Sequence, residues 1–201
     1  MARPVIILFA KAPRLGQVKR RLASSIGDVA ALRFYRNQLT RIIHELARLK
    51  NFEIIIALTP RHCRLQARPL FRGITQHKGD MGQRMARCFA MFRRRPVILI
   101  GADIPDLNAA IIRRAARALK CHDAAFGPAI DGGYYLVAMG AKRPTDPFAN
   151  VRWSSPHALA DTLMNFRHRR IAMLDTLSDV DTVDDLKATS ISSLRRTPKC
   201  P

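Results

Sequence analysis

The chain has 201 residues, 48% hydrophobic and 25% charged, enough for one well-buried core and too few for two ordinary domains. Its formal charge of +20, from 35 Lys and Arg against 15 Asp and Glu, attracts phosphates, nucleic acid or acidic surfaces over a Debye length of roughly 10 Å. No apolar stretch approaches the roughly 20 residues of a membrane helix, and residues 5–10 are too short and wrongly flanked for a signal peptide, so a cytoplasmic protein without membrane contact is expected.

In chain order, residues 5–9 read as a buried first strand, and Asp28 as the cap of a long helix. The apolar positions of that helix, Leu32, Tyr35, Leu39, Ile42, Leu46 and Leu49, recur every three or four residues. Residues 52–58 form a second strand, and 74–76 a short third one before a helix carrying Met85, Phe89 and Phe92. The apolar run 97–100 is the central strand, followed by a helix over 109–119. Segments 124–126 and 134–139 flank a glycine-rich turn and can pair or diverge. Ser155 and Pro156 signal a cap and first turn for a helix reaching Phe166, and 171–174 is the last strand. Thr182 and Asp185 have nearly the spacing of a capping box, so a short terminal helix begins there. Residues 1–187 then form a single domain and 188–201 a frayed polar tail. Strand-length runs alternating with amphipathic segments predict an α/β fold, a three-layer α/β/α sandwich around a mostly parallel, Rossmann-like sheet.

Four segments carry residues suited to chemistry. The run 97–100 releases Asp103, Pro105 and Asp106 at the carboxyl end of a strand, where α/β sheets bind ligands, and a cation is one reading of the acidic pair. An Asp-rich turn capping the next helix is the other. After the first strand, Pro13 and Gly16 shape a turn bearing Lys11, Arg14, Lys19 and Arg21, suited to a di- or triphosphate. It has neither the Walker spacing nor the dinucleotide fingerprint. Asp131-Gly132-Gly133 places a carboxylate on a turn that allows close backbone approach, or simply makes a hairpin. Asp179 and Asp181 stand two apart before the terminal helix, and capping accounts for one of them. His157 lacks a partner at ligand spacing, Met81, Met85 and Met91 read as core filler, and Cys63, Cys88, Cys121 and Cys200 read as reduced, mostly buried thiols.

Taken jointly, the Phe9-to-Lys19 start, Gly101 to Pro105, Gly127 to Tyr135, Trp153-Ser154 and Asp179 to Thr182 resemble the nucleotide-diphospho-sugar transferase superfamily with its glycosyltransferase A fold. More narrowly they resemble a bacterial glycosyltransferase-like family linked to arsenosugar biosynthesis, whose relatives include sugar nucleotidyltransferases and phospholactate guanylyltransferases. The resemblance implies a metal-dependent transferase with a nucleotide or nucleotide-sugar donor and a small-molecule acceptor. Mg or Mn would be held by Asp103 and, as in some relatives, by Asp181. Lys11, Arg14, Gly16, Lys19 and Arg21 would contact the phosphates, and the loop carrying Gly79 and Gly82 would approach the base. Asp131 is the candidate to orient or deprotonate the acceptor. Arg20 stands where that family commonly has Thr, and Val183 where it commonly has Pro. Glycosyl transfer is the favoured reaction and nucleotidyl transfer from a nucleoside triphosphate to a phosphorylated acceptor the alternative. A non-catalytic anion- or RNA-binding protein is a second alternative, although the basic residues are scattered and aromatics make only 6%.

Overall fold

The computed structural model describes residues 3–60 and 71–194, with side chains to 188. Cys63 and Cys200 lie outside the described residues. Among the described residues the strands are β1 Val5–Lys11, β2 Glu53–Thr59, β3 Arg72–Thr75, β4 Val97–Gly101, β5 Ala124–Pro128, β6 Tyr134–Met139 and β7 Ile171–Met173. These seven join in one sheet in the order β3-β2-β1-β4-β6-β5-β7. Every pairing is parallel except those of β6, which runs antiparallel to both β4 and β5.

Helices cover both faces because the sheet is apolar on both. Ile6, Leu8, Ile98 and Ile100 point into a core with Tyr35, Leu39, Ile42 and Leu46 of α2 (Asp28–Ala47) and with Ile111, Ile112 and Ala115 of α4 (Ala109–Ala118). Val5, Ile7, Val97 and Leu99 face the other way, onto Met85, Cys88 and Phe89 of α3 (Met81–Ala90) and onto Phe148 and Phe166. Strand alternation delivers adjacent residues to opposite layers, so near-continuous apolar runs are what a two-sided sheet demands. The α/β/α class expected from the sequence is the one observed.

Several local details differ from the expectations. A short helix α1, Arg20–Ile26, fills the segment before α2. Gly27, at φ 83°, closes α1 and is the N-cap of α2, so Asp28 is the first helical residue rather than the cap. Helix α5 spans Ala158–Met164 and starts after His157, not at Ser155. The Ser155 hydroxyl donates to the Arg152 carbonyl and accepts from the His157 N–H, making a turn before the helix. Helix α6, Val183–Leu194, continues past Lys187 into the expected tail. Its N-terminus is held reciprocally, with Thr182 N–H donating to Asp185 Oδ2 at 2.7 Å and Asp185 N–H to Thr182 Oγ1 at 3.3 Å. Of the thiols, Cys88 is buried and Cys121 is exposed, which corrects the expectation for the latter. Among the described residues no helix is long and apolar enough to cross a membrane.

Candidate functional site

Parallel strands β1 and β4 end side by side, and the segments leaving them meet the chain that enters α6. There a cavity of about 310 Å³ opens at the carboxyl edge of the sheet. Its wall carries four carboxylates, Asp103, Asp131, Asp179 and Asp181, a marked concentration for a chain with 15 acidic residues in all. Its lining also includes Leu99 and Val137 from the sheet, Met81 and Met85 from α3, and Tyr134 and Trp153. The two aromatic rings meet edge to face, with centroids 6.4 Å apart. An apolar pocket with a few convergent polar groups is the usual form of a small-molecule site.

Lys19 stands at the centre of the acidic side. Its Nζ lies 2.7 Å from Asp103 Oδ1 and 2.8 Å from Asp181 Oδ1, and its side chain is 3% exposed. Burial alone lowers an ammonium pKa, but Asp103 and then Asp181 outweigh it and hold Lys19 above its ordinary value. Arg21, far more open, reaches Asp181 Oδ2 only at 4.0 Å. Lys19 therefore does not project its charge as a free phosphate donor, as the sequence suggested; its partner Asp181 lies 162 residues away.

The other basic residues of the turn, Lys11 and Arg14, are exposed and lie outside the cavity lining. Gly16, at φ 70°, gives the turn its left-handed corner. Tyr35 fixes the end of β1 by accepting from the Lys11 N–H and donating to the Lys11 carbonyl, both at 2.9 Å.

Asp131 sits on the five-residue connection between β5 and β6, which do pair as a hairpin. Its Oδ1 accepts from the Gly133 N–H at 2.9 Å, orienting the carboxylate. Gly132 has φ 83°, and a Cβ there would lie 2.2 Å from the Pro156 carbonyl oxygen, so only glycine lets the turn pack on the segment before α5. Asp179, weighed in the sequence as a cap, lines the cavity instead. Burial, then the charges of Asp131 and Asp181, push its pKa up.

The loop carrying Gly79 and Gly82 is organised from within. Asp80 and Gln83 form a capping box at the start of α3, with Gln83 N–H donating to Asp80 Oδ1 at 2.8 Å. Gln76 is buried, donates to the carbonyls of Ala10 and Ala57, and accepts from Arg84, which ties the loop to β1 and β2. Gly82 is buried under Trp153 and Phe148, where a Cβ would come within 2.8 Å of the indole ring. Packing thus requires that glycine, while Gly79 remains on the exposed side of the loop at φ 120°.

The model of the family described as an uncharacterized protein conserved in bacteria, DUF2064, matches residues 42–155. The chain belongs to that family. The matched stretch contains Asp103, Asp131 and Trp153, whereas Lys19, Asp179 and Asp181 lie outside it.

Among solved structures, a protein from Desulfovibrio desulfuricans G20 provisionally described as a nucleotide-diphospho-sugar transferase is similar at 32% identity. The alignment covers 98% of this chain and 92% of that one, with a TM-score of 0.86. CMP:2-keto-3-deoxy-manno-octonic acid synthetase complexed with CTP is similar in fold at 11% identity, TM-score 0.60, covering 98% and 100%. The 4-diphosphocytidyl-2C-methyl-D-erythritol synthase of Anaerococcus prevotii DSM 20548 aligns at 10% identity, TM-score 0.60, covering 96% and 99%. No curated protein matches the sequence. The fold of this DUF2064 member is that of the nucleotide-diphospho-sugar transferases, as the sequence motifs suggested.

Two features escaped the sequence reading. The edge-to-face contact of Trp153 with Tyr134 beside the cavity gave no local signal, because 18 residues of loop and strand separate them. Ser154, at φ 57° beside the cavity, holds a left-handed conformation unusual for serine, and only the folded loop reveals it.

Proposed function

We propose that this protein is a metal-dependent transferase that uses a nucleotide donor, and that its reaction is glycosyl transfer from a nucleoside diphosphate sugar. The observation that carries the reading is the cavity at the carboxyl edge of β1 and β4, with Asp103 and Asp181 converging on one cation position. The similarity to the Desulfovibrio protein along nearly the whole chain supports the same reaction class.

Among the described residues no group of three His, Cys, Asp or Glu forms a cage for a metal. Two carboxylate oxygens aimed at one point nonetheless fit a hard divalent ion that takes its remaining ligands from phosphate and water, the usual arrangement for Mg. Asp103 and Asp181 would hold it, and when bound it would offset charge growing on the departing phosphate. The chain's own residues do the rest. Lys11, Arg14 and Arg21 supply positive charge along the turn that receives the phosphates. Met81, Met85 and Trp153 exclude water from one side of the cavity. Asp131, oriented by Gly133, directs the acceptor, and Asp179, whose pKa is raised, is placed to accept the acceptor's proton.

A second reading, nucleotidyl transfer from a nucleoside triphosphate, is favoured by the fold shared with the CTP-bound synthetase. Products separate the two. Incubation with nucleoside diphosphate sugars and with nucleoside triphosphates, each with Mg or Mn, yields a nucleoside diphosphate on the first reading and pyrophosphate on the second. No product, with no nucleotide raising the melting temperature, eliminates both. Asp103→Asn is expected to lower turnover at least tenfold, about 1.4 kcal/mol in activation free energy.

A further inference from the structure

The cation position between Asp103 and Asp181 is already filled by a group of the chain itself. Lys19 Nζ makes 2.7 Å and 2.8 Å contacts to the two Oδ1 atoms, and its side chain is almost fully enclosed at 3% exposure, whereas the carboxylates are 55% and 40% exposed. The arrangement is built into the backbone. Lys19 adopts φ 48° and ψ 48° at the start of α1, a left-handed conformation costly for a long side chain and offset here by the double ion pair. Val18 beside it is buried in the main core, so the turn has a fixed anchor.

A divalent ion and an ammonium compete for the same two Oδ1 atoms, because like charges a few ångströms apart repel. We propose that Lys19 is a positioning residue that competes with the metal for one seat. Its ammonium occupies the seat in the resting protein, and a divalent ion engages Asp103 and Asp181 only as the ammonium leaves. The nearest new anionic partner for the freed ammonium is the donor's phosphate group. This step rests on the nucleotide-donor reading, and it makes metal and donor bind cooperatively. The displacement by metal stands without that reading.

The test uses metal alone with the full chain, so that its outcome is independent of nucleotide binding. In a titration with Mn followed by electron paramagnetic resonance of the free ion, Lys19→Met should bind Mn at least about tenfold more tightly than the wild type. Lys19→Arg should keep the weak binding, since it restores the competing charge. Equal affinity in wild type and Lys19→Met, or no Mn binding by a folded Lys19→Met, overturns the proposal. A second measurement needs no variant. In wild-type protein with ¹⁵N-labelled lysine, the protected Lys19 ammonium resonance should be lost over the same Mg concentrations at which Mg binds. Mg binding with that resonance in place also overturns the proposal. Loss of nucleotide binding in the panel above would refute the donor reading and leave both metal titrations standing.

Discussion

Replacing Gly132 by Ala tests whether the turn that carries Asp131 is held by a steric fit. Two glycines share φ 83°, yet their surroundings differ: a Cβ on Gly27 meets nothing within 4 Å, whereas one on Gly132 lies 2.2 Å from the Pro156 carbonyl oxygen and 2.6 Å from its carbon. Gly27→Ala therefore reports backbone strain without a clash, about 1–3 kcal/mol for an L-residue at φ 83° and ψ 153°. Gly132→Ala adds the displacement of a backbone carbonyl, an overpacking cost of about 1–3 kcal/mol. It also strains the bond from the Leu159 N–H to the Gly132 carbonyl, 3.0 Å long, which joins the turn to α5. The sum is about 2–6 kcal/mol. In a chain of this size each kcal/mol moves Tm by about 2–4 °C, so Gly132→Ala should melt at least about 4 °C below wild type. Urea denaturation of the three proteins gives the free energies directly. A cost below about 1 kcal/mol for Gly132→Ala would refute the steric argument and mean that the segment before α5 moves aside freely.

Arg143 donates to the carbonyls of Phe89, Phe92, Arg95 and Gly140, and burial lowers its pKa to about 10. Arg143→Met leaves those carbonyls without their shared donor and should cost about 3–5 kcal/mol in urea denaturation, with Arg143→Lys recovering only part because an ammonium cannot span four acceptors. A loss under about 1 kcal/mol would show that water replaces the guanidinium. The Arg152 side chain and backbone N–H hold the Asp161 carboxyl well below its ordinary value of 3.8, through bonds of 2.8 to 3.0 Å. Because the folded pKa is the depressed one, this stabilisation is complete above the ordinary value and is lost as pH falls through the folded value. The stability advantage of wild type over Asp161→Asn should stay constant near neutrality and shrink in acid. An advantage that grows in acid would reverse the assignment.

The layer structure was legible in the sequence because it depends on short-range patterns. The run 97–100 is apolar at every position, as a strand buried on both faces must be, and it became β4 at the centre of the sheet. The spacing of Thr182 and Asp185 likewise specified the start of α6, since capping involves residues three apart. Asp103, Asp131 and Asp181 were recognisable as candidates because each leaves a strand or precedes a helix, and the fold brings all three to one cavity. What surrounds them was not legible. Lys19 belonged, by sequence, to a basic turn facing phosphate; its ammonium turned instead to carboxylates 84 and 162 residues away, because the parallel sheet sets the ends of β1 and β4 side by side and returns the chain to them before α6. Asp179 read, by sequence, as a neighbour or cap before α6, whereas in the fold burial and the charges of Asp131 and Asp181 push its pKa up. Local sequence determines which elements form and which faces they bury. Only their assembly decides which charges face one another, because electrostatic partners are chosen by distance in space and not by separation along the chain.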